Sequence, residues 1–474
     1  MKIILITLDT LRADRLGCYG YHLPTSPYID QIAKEGVIFD KAFAADIPTE
    51  VAHTDLFTGK VGLSTGVIAH GSKSNYLQKN IKWLPSMLRK KGITTAAVDN
   101  LYHLQEWFAR GFKYYMNTTG ENRWIDGRTI NDFAIPWLRD HAQDDFFLFL
   151  HYWDPHTPYL PPKEYLPLFY DTKLDPFDKS NRSMDKAYSH TSYPNQKLNH
   201  YDFLGEVTDS NYVNALYDSE IRYLDDLLKE LDSNLSELGI KDDVFLIILG
   251  DHGESLLEHG IYWDHCGLYD NTVRVPMIMR YPSKIKAGQT IKGMVQQADI
   301  MPTILQDANL DVPNDLDGKS LWPVINGHAS EAHTKIYLSE CAHQASRGIR
   351  TNEYKFMKTK SSGIFSRPEI ELYDLIEDPN EEHNIAEKLP ELTRIFSEEL
   401  DCWVQTKLNG KEDPMDYILN NEMLPKRKKM EQILMDFGLT YEEWISNPSP
   451  TELNKALESL KRKKALSQTE KYTV

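Results

Sequence analysis

Hydrophobic positions follow two rhythms along the chain. Three short runs, residues 3–8 (IILITL), 146–151 (FFLFLH) and 244–249 (VFLIIL), are almost uninterrupted by polar groups. Such runs suit strands buried on both faces, as parallel sheets covered by helices require. Amphipathic stretches lie between them. Residues 27–35 predict a helix, with Ser26 as N-cap, Pro27 at the first helical position and Gly36 as the stop. Residues 83–91 and the long stretch 211–238 also read as helices, and 93–98 as a further strand. The alternation predicts an α/β fold with a mostly parallel central sheet and helices on both faces.

Two regions depart from this rhythm. Residues 163–210 are rich in Tyr, Asp, Ser, Asn and Pro, and predict an insertion over the site. Near residue 330, short strand candidates at 336–338, 354–358 and 371–375 predict a smaller antiparallel sheet. The expected division is a catalytic domain over 1–330, a C-terminal subdomain over 331–410, and a charged helical extension over 411–474. The extension's basic clusters, 426–429 and 461–464, read as a solvated helix face, with the extension also a candidate surface for homo-oligomers.

Charge narrows the partners. The net charge of −17, from 70 acidic against 53 basic residues, argues against nucleic acid and anionic membranes. An anionic substrate would need local attraction from a metal ion, imidazoles or helix N-termini. The four cysteines, Cys18, Cys266, Cys341 and Cys402, form no CxxC pair, so neither a disulfide framework nor a thiolate zinc site is expected. The apolar run at 3–8 is too short for a signal peptide, and no segment is long and apolar enough for a membrane span, so a cytoplasmic location is expected.

Candidate chemistry gathers where apolar strands end, the usual ligand edge of an open α/β sheet. Asp9 directly follows the first run; it either caps a turn or binds a metal ion. Asp251-His252, between Gly250 and Gly253, follows the 244–249 run. Carboxylate with imidazole suits Mn²⁺ or Zn²⁺ better than Ca²⁺. Thr49 sits where a loop enters a short helix, so it reads as an N-cap. A second use is as a nucleophile beside helix-terminal amides that attract anions. His156 and His265 lie in exposed-looking segments beyond the two most apolar strands.

In order along residues 1–405, these segments resemble the sulfatase family of the alkaline phosphatase superfamily, including phosphonate monoester hydrolases. Asp9 through Gly17 resembles the family's opening motif, and Pro24 through Asp30 its TPNID segment. Leu56-Phe57-Thr58-Gly59 resembles the LLTG after the nucleophile. His151 through Pro158 resembles H-x-x-x-PH-x-P, and Leu249 through Glu254 resembles SDHGE. Arg274-Val275-Pro276, 299–305 and 371–375 complete the series. One departure concerns the nucleophile. The family's formylglycine is made from Cys or Ser in C-x-P-x-R, whereas the matching position is Thr49, with Val51 and His53 replacing the proline and arginine. Threonine has no route to the aldehyde hydrate.

Threonine here resembles phospho-transferring relatives, such as lipoteichoic acid synthases and phosphoethanolamine transferases. The resemblance implies a metal shell of Asp9, Thr49, Asp251 and His252. It also implies catalytic roles for Thr49, His156 and His265, the two histidines binding the transferring group or a second metal. Thr10 replaces a further metal-binding Asp of many sulfatases. Asn75, Asn100 and Tyr102 are substrate-binding candidates, with His103 beside them; Asn100 lies near the place of the family's GKWH lysine, and His70 matches a family HG segment. The expected cofactor is one divalent ion, Mn or Zn in preference to Ca, with a second at His156/His265 as the variant. The expected substrate is a small anionic ester. Phosphate mono- or diesters lead because threonine cannot release sulfate by elimination. A sulfuric-ester hydrolase without formylglycine is the alternative, and a non-catalytic binding protein that kept the fold is the third reading.

Overall fold

The computed structural model describes residues 1–117 and 125–446, with a few scattered positions beyond. The basic cluster at 461–464 lies outside the described residues. Ten strands matter for the large sheet and its connection to the small one: β1 (Lys2–Leu8), β2 (Val37–Phe43), β3 (Asp46–Ile47), β4 (Thr94–Val98), β5 (Tyr114–Met116), β6 (Phe146–Tyr152), β7 (Val244–Gly250), β8 (Arg274–Val275), β9 (Met277–Arg280) and β10 (Gln289–Gln296). Nine of them form the large sheet, in the order β10-β2-β9-β7-β1-β6-β4-β5 with β8 on β2. The three apolar runs are β1, β6 and β7. They are adjacent, parallel and buried along nearly their whole length, as unbroken apolarity predicts. Only β8 and β9 run antiparallel.

Helices α1 (Pro27–Glu35), α2 (Thr49–Thr58), α3 (Leu84–Lys90), α4 (Gly127–His141) and α5 (Ser210–Glu237) separate the early strands. Ser26 does precede α1, but its hydroxyl makes no capping bond. It donates to Asp30 and accepts from the Gly17 amide instead. Residues 163–210 hold only short helical turns.

The smaller sheet contains β11 (Lys335–Cys341), β12 (Ala345–Thr351), β13 (Tyr354–Ser361) and β14 (Ile370–Asp374), paired antiparallel in sequence. The structure adds a fifth strand that periodicity could not show. Two-residue β3 pairs in parallel with β11, through Ser339↔Asp46 and Glu340↔Ile47. The loop that delivers Thr49 is therefore anchored in the second sheet.

Helices α6 (Pro390–Leu408), α7 (Pro414–Asn421), α8 (Pro425–Asp436) and α9 (Tyr441–Ser446) follow. The last three are not merely solvated. Met415 and Ile418 pack with Leu424 against Ala69 and Cys341, while Met430, Leu434 and Trp444 join the main core. No helix among the described residues is long and apolar enough to cross a membrane.

Candidate active site

Register builds the centre of the site. Leu8 pairs with Tyr152 on one side and Gly250 on the other, so the residues that leave β1 and β7, Asp9 and Asp251, emerge side by side. The backbone turns sharply after Asp9. Thr10 has φ of 57°, and its amide donates to Asp251 Oδ1 at 3.1 Å. Gln297 braces the neighbouring segment by donating to the carbonyls of Gly250 (2.7 Å) and Asp251 (2.6 Å). Gly253 is required by crowding: a Cβ there would meet the Asn271 carbonyl oxygen at 2.1 Å.

Thr49 enters one position later than an N-cap. Pro48 is the N-cap and Thr49 is the first residue of α2, a helix whose ten residues are all buried. Its side chain is thus not committed to capping. Thr49 Oγ1 lies 3.1 Å from His252 Nε2. His252 Nδ1 donates to the Gly253 carbonyl at 3.0 Å, which leaves Nε2 as an acceptor facing the threonine hydroxyl. The same Nε2 is 3.7 Å from Asp9 Oδ1 and 3.5 Å from Asp251 Oδ2.

These donors fit a divalent cation. Ligand atoms of Asp9, Asp251 and His252 all lie within 4.8 Å of one another. Both Asp9 oxygens and Asp251 Oδ2 are buried without a hydrogen-bond partner, a costly state unless a cation satisfies them. Burial raises the Asp9 carboxyl to about 7 against the lowering effect of His252. Asp251 is raised too, by burial first and then by the charge of Asp9. Two carboxylates forced together this way would ionise readily around a metal ion.

The remaining predicted residues fall into distinct places. The His156 and His265 rings are 4.9 Å apart, and His265 is another 4.9 Å from His252. His265 is buried, not exposed as its polar segment suggested, because its loop packs on the C-terminal sheet: the Gly267 amide donates to Glu340 Oε2 at 2.8 Å and the His343 ring lies 5.7 Å from that of His265. Burial, then the nearby His156, holds it well below the ordinary histidine range. Asn100 sits behind the site: its Oδ1 accepts from His151 Nδ1 at 3.1 Å, and His151 Nε2 points to Asp9 Oδ2 at 3.2 Å. Asn75 is bonded to Glu50 Oε1 (2.7 Å). Tyr102 is half exposed, beside the Tyr115 ring. The His103 ring lies 6.4 Å from that of Trp153, and His70 Nδ1 accepts from the Glu50 amide.

Two neighbours, His53 and His151, stand in motifs of the sequence but are given no site role there. His53 donates from Nδ1 to the Thr49 carbonyl (2.8 Å) and meets Thr7 Oγ1 through Nε2 (3.0 Å). Its spacing of four from Thr49, one helical turn, was the available signal. His151 was visible only as part of a motif, since its link to Asp9 depends on strand order.

Comparison with known proteins gives the family and the fold. The family profile described as Sulfatase matches residues 2–310, and that of N-sulphoglucosamine sulphohydrolase, C-terminal, matches residues 257–405. An N-acetylglucosamine-6-O-sulfatase of Bacteroides thetaiotaomicron is 25% identical, over 84% of this chain and 86% of its own. An arylsulfatase of Clostridium perfringens is 24% identical, over 84% and 94%. A protein solved in complex with its substrate D-glucosamine-2-N,6-O-disulfate superposes with a TM-score of 0.69 at 22% identity, covering 88% of this chain and 99% of that one. The phosphonate monoester hydrolase of Agrobacterium radiobacter gives 0.69 at 20% identity, covering 86% and 96%.

Proposed function

Because the chain belongs to the sulfatase family, we propose that it is a metal-dependent hydrolase of a small sulfate ester, with Thr49 as its nucleophile. The carrying observation is the Thr49 hydroxyl, held 3.1 Å from His252 Nε2 among partnerless Asp9 and Asp251 oxygens. The relatives above are mostly sulfatases, which favours sulfate over the phosphate esters that threonine alone suggested.

Asp9, Thr49, Asp251 and His252 would hold the ion. When bound, a divalent ion would lower the pKa of a neighbouring hydroxyl and offset charge on ester oxygens. Thr49 Oγ, its proton given up to solvent, would attack sulfur as the bond to the leaving oxygen breaks, giving a sulfo-threonine; water would then attack that sulfur, break its bond to Thr49 Oγ, and release sulfate, a proton returning to the threonine oxygen. Threonine carries no second hydroxyl, so elimination is not open to it. His265, neutral by burial, and His156 would donate hydrogen bonds to the ester oxygens, and one of them would protonate the leaving oxygen. Near His265 lies Glu254, whose Oε1 is 3.9 Å from its Nδ1 and whose carboxyl burial pushes well upward. A protonated Glu254 would supply that histidine.

A phosphoester hydrolase is the second reading, favoured by the unmodifiable Thr49. Aryl sulfate, phosphate monoester, phosphate diester and phosphonate substrates, assayed with Mn²⁺, Zn²⁺ or Ca²⁺, separate the two. Sulfate turnover should lead. A kcat/KM at least about tenfold higher for any phosphorus ester, about 1.4 kcal/mol in barrier, would reverse the assignment.

A further inference from the structure

Behind His265 lies a second cluster that shares no residue with the site above. Trp263, at φ of 51°, turns the chain into Asp264-His265-Cys266, and reciprocal backbone bonds between Asp264 and Ser255 (3.0 and 3.2 Å) fix this loop. Opposite it stands His343, in the turn between β11 and β12. An Asp264 carboxylate oxygen, Cys266 Sγ and a His343 ring nitrogen all lie within 4.8 Å of one another, and all three residues are buried. Ligands of one tetrahedral zinc, at roughly 2.0–2.3 Å from the ion, would stand within that separation.

The polar atoms here are poorly served by the protein. Asp264 Oδ1 accepts from the His265 amide at 2.9 Å, but Oδ2 has no partner. His343 Nε2 approaches Asp264 Oδ1 to 3.1 Å, yet neither ring nitrogen is in hydrogen-bond geometry. Glu340 Oε1 and Gln344 Oε1, on the same hairpin, also lack partners. Unpaired buried groups at this density are costly unless something satisfies them.

We infer that Asp264, Cys266 and His343 bind a zinc-class divalent ion that ties the His265 loop to the C-terminal sheet, with Glu340 available as a fourth donor. Thiolate, imidazole and carboxylate together suit zinc, whereas the oxygen-preferring Ca²⁺ and Mg²⁺ would reject the sulfur. Cysteine spacing could not disclose the site, because it uses one cysteine rather than a CxxC pair.

Cobalt provides the test, since among the clusters of possible metal ligands in the described residues only this one contains a cysteine. The full chain, stripped with a chelator and confirmed folded by circular dichroism, is titrated with Co²⁺. A near-ultraviolet thiolate-to-cobalt charge-transfer band should appear. It should be lost in Cys266→Ala, weaken at least about tenfold in cobalt affinity in His343→Gln, and survive in Asp251→Asn, which alters the other site. Absence of the band from the folded wild-type chain, or its persistence in Cys266→Ala, overturns the inference. Should Cys266→Ala not fold, His343→Gln decides: unchanged cobalt affinity overturns it. Failure of the Thr49 mechanism would leave this spectrum untouched.

Discussion

At the scale of the residue, Thr49 has a hydroxyl free of capping duty and aimed at an acceptor nitrogen. Thr49→Ala should lower kcat/KM by at least about 10³-fold while melting like the parent, measured by steady-state kinetics and circular dichroism. Intact mass should show unmodified threonine, and rapid quenching with substrate should place one sulfo or phospho group on the peptide carrying residue 49. A different residue titrates stability. His200 is fully buried among the rings of Tyr159, Tyr201 and Trp263, and burial lowers its pKa from 6.5 to about 3. The unfolded chain takes up a proton here as pH falls through 6.5, the folded chain only near 3. Its contribution to stability is therefore full above 6.5 and is lost as pH falls through that window, by up to about 1.4 kcal/mol per pH unit. Urea unfolding of His200→Phe should show a smaller acid loss between pH 6.5 and 4.5, by roughly 1–3 kcal/mol. An identical slope in parent and variant would contradict this origin.

At the scale of the element, legibility followed locality. Asp9, Asp251 and His252 were readable because an apolar strand, ending in polar residues, already marks a ligand edge. Thr49 was readable in place but displaced by one in role, since Pro48 takes the cap. Asn100 was named for the substrate and stands against His151, a contact that only the β4–β6 pairing creates. The extension's cluster at 426–429 read as solvated face, yet α8 packs into the main core, and Lys426 lies near enough to His265 for its charge to act there after burial and the neighbouring histidines. Its Lys426 amide donates to Ala342, and the Lys426 charge, after burial, helps hold His70 well below the ordinary range. Lys426→Ala should raise KM for an anionic ester about three- to tenfold with kcat within about twofold. An unchanged KM would return this helix to a purely structural part.

At the scale of the whole molecule, the net charge of −17 opposes the arrival of an anion, so attraction has to be local. Screening should therefore help: kcat/KM for an anionic ester should rise about twofold or more from roughly 10 to 150 mM salt. A fall would mean that the local positive field extends beyond the cleft. The pairing of β3 with β11 has a further consequence, for the order of events on the ribosome. Residues 46–47 are made early, but their partners at 339–340 emerge nearly three hundred residues later. N-terminal segments of a growing chain commonly fold as they appear. Here the stretch leading to Thr49 has to wait with its edge unpaired. A nascent chain halted before β11 would hold the catalytic residues in its sequence and lack the strand that seats them, so activity should appear only once the C-terminal sheet has been synthesised.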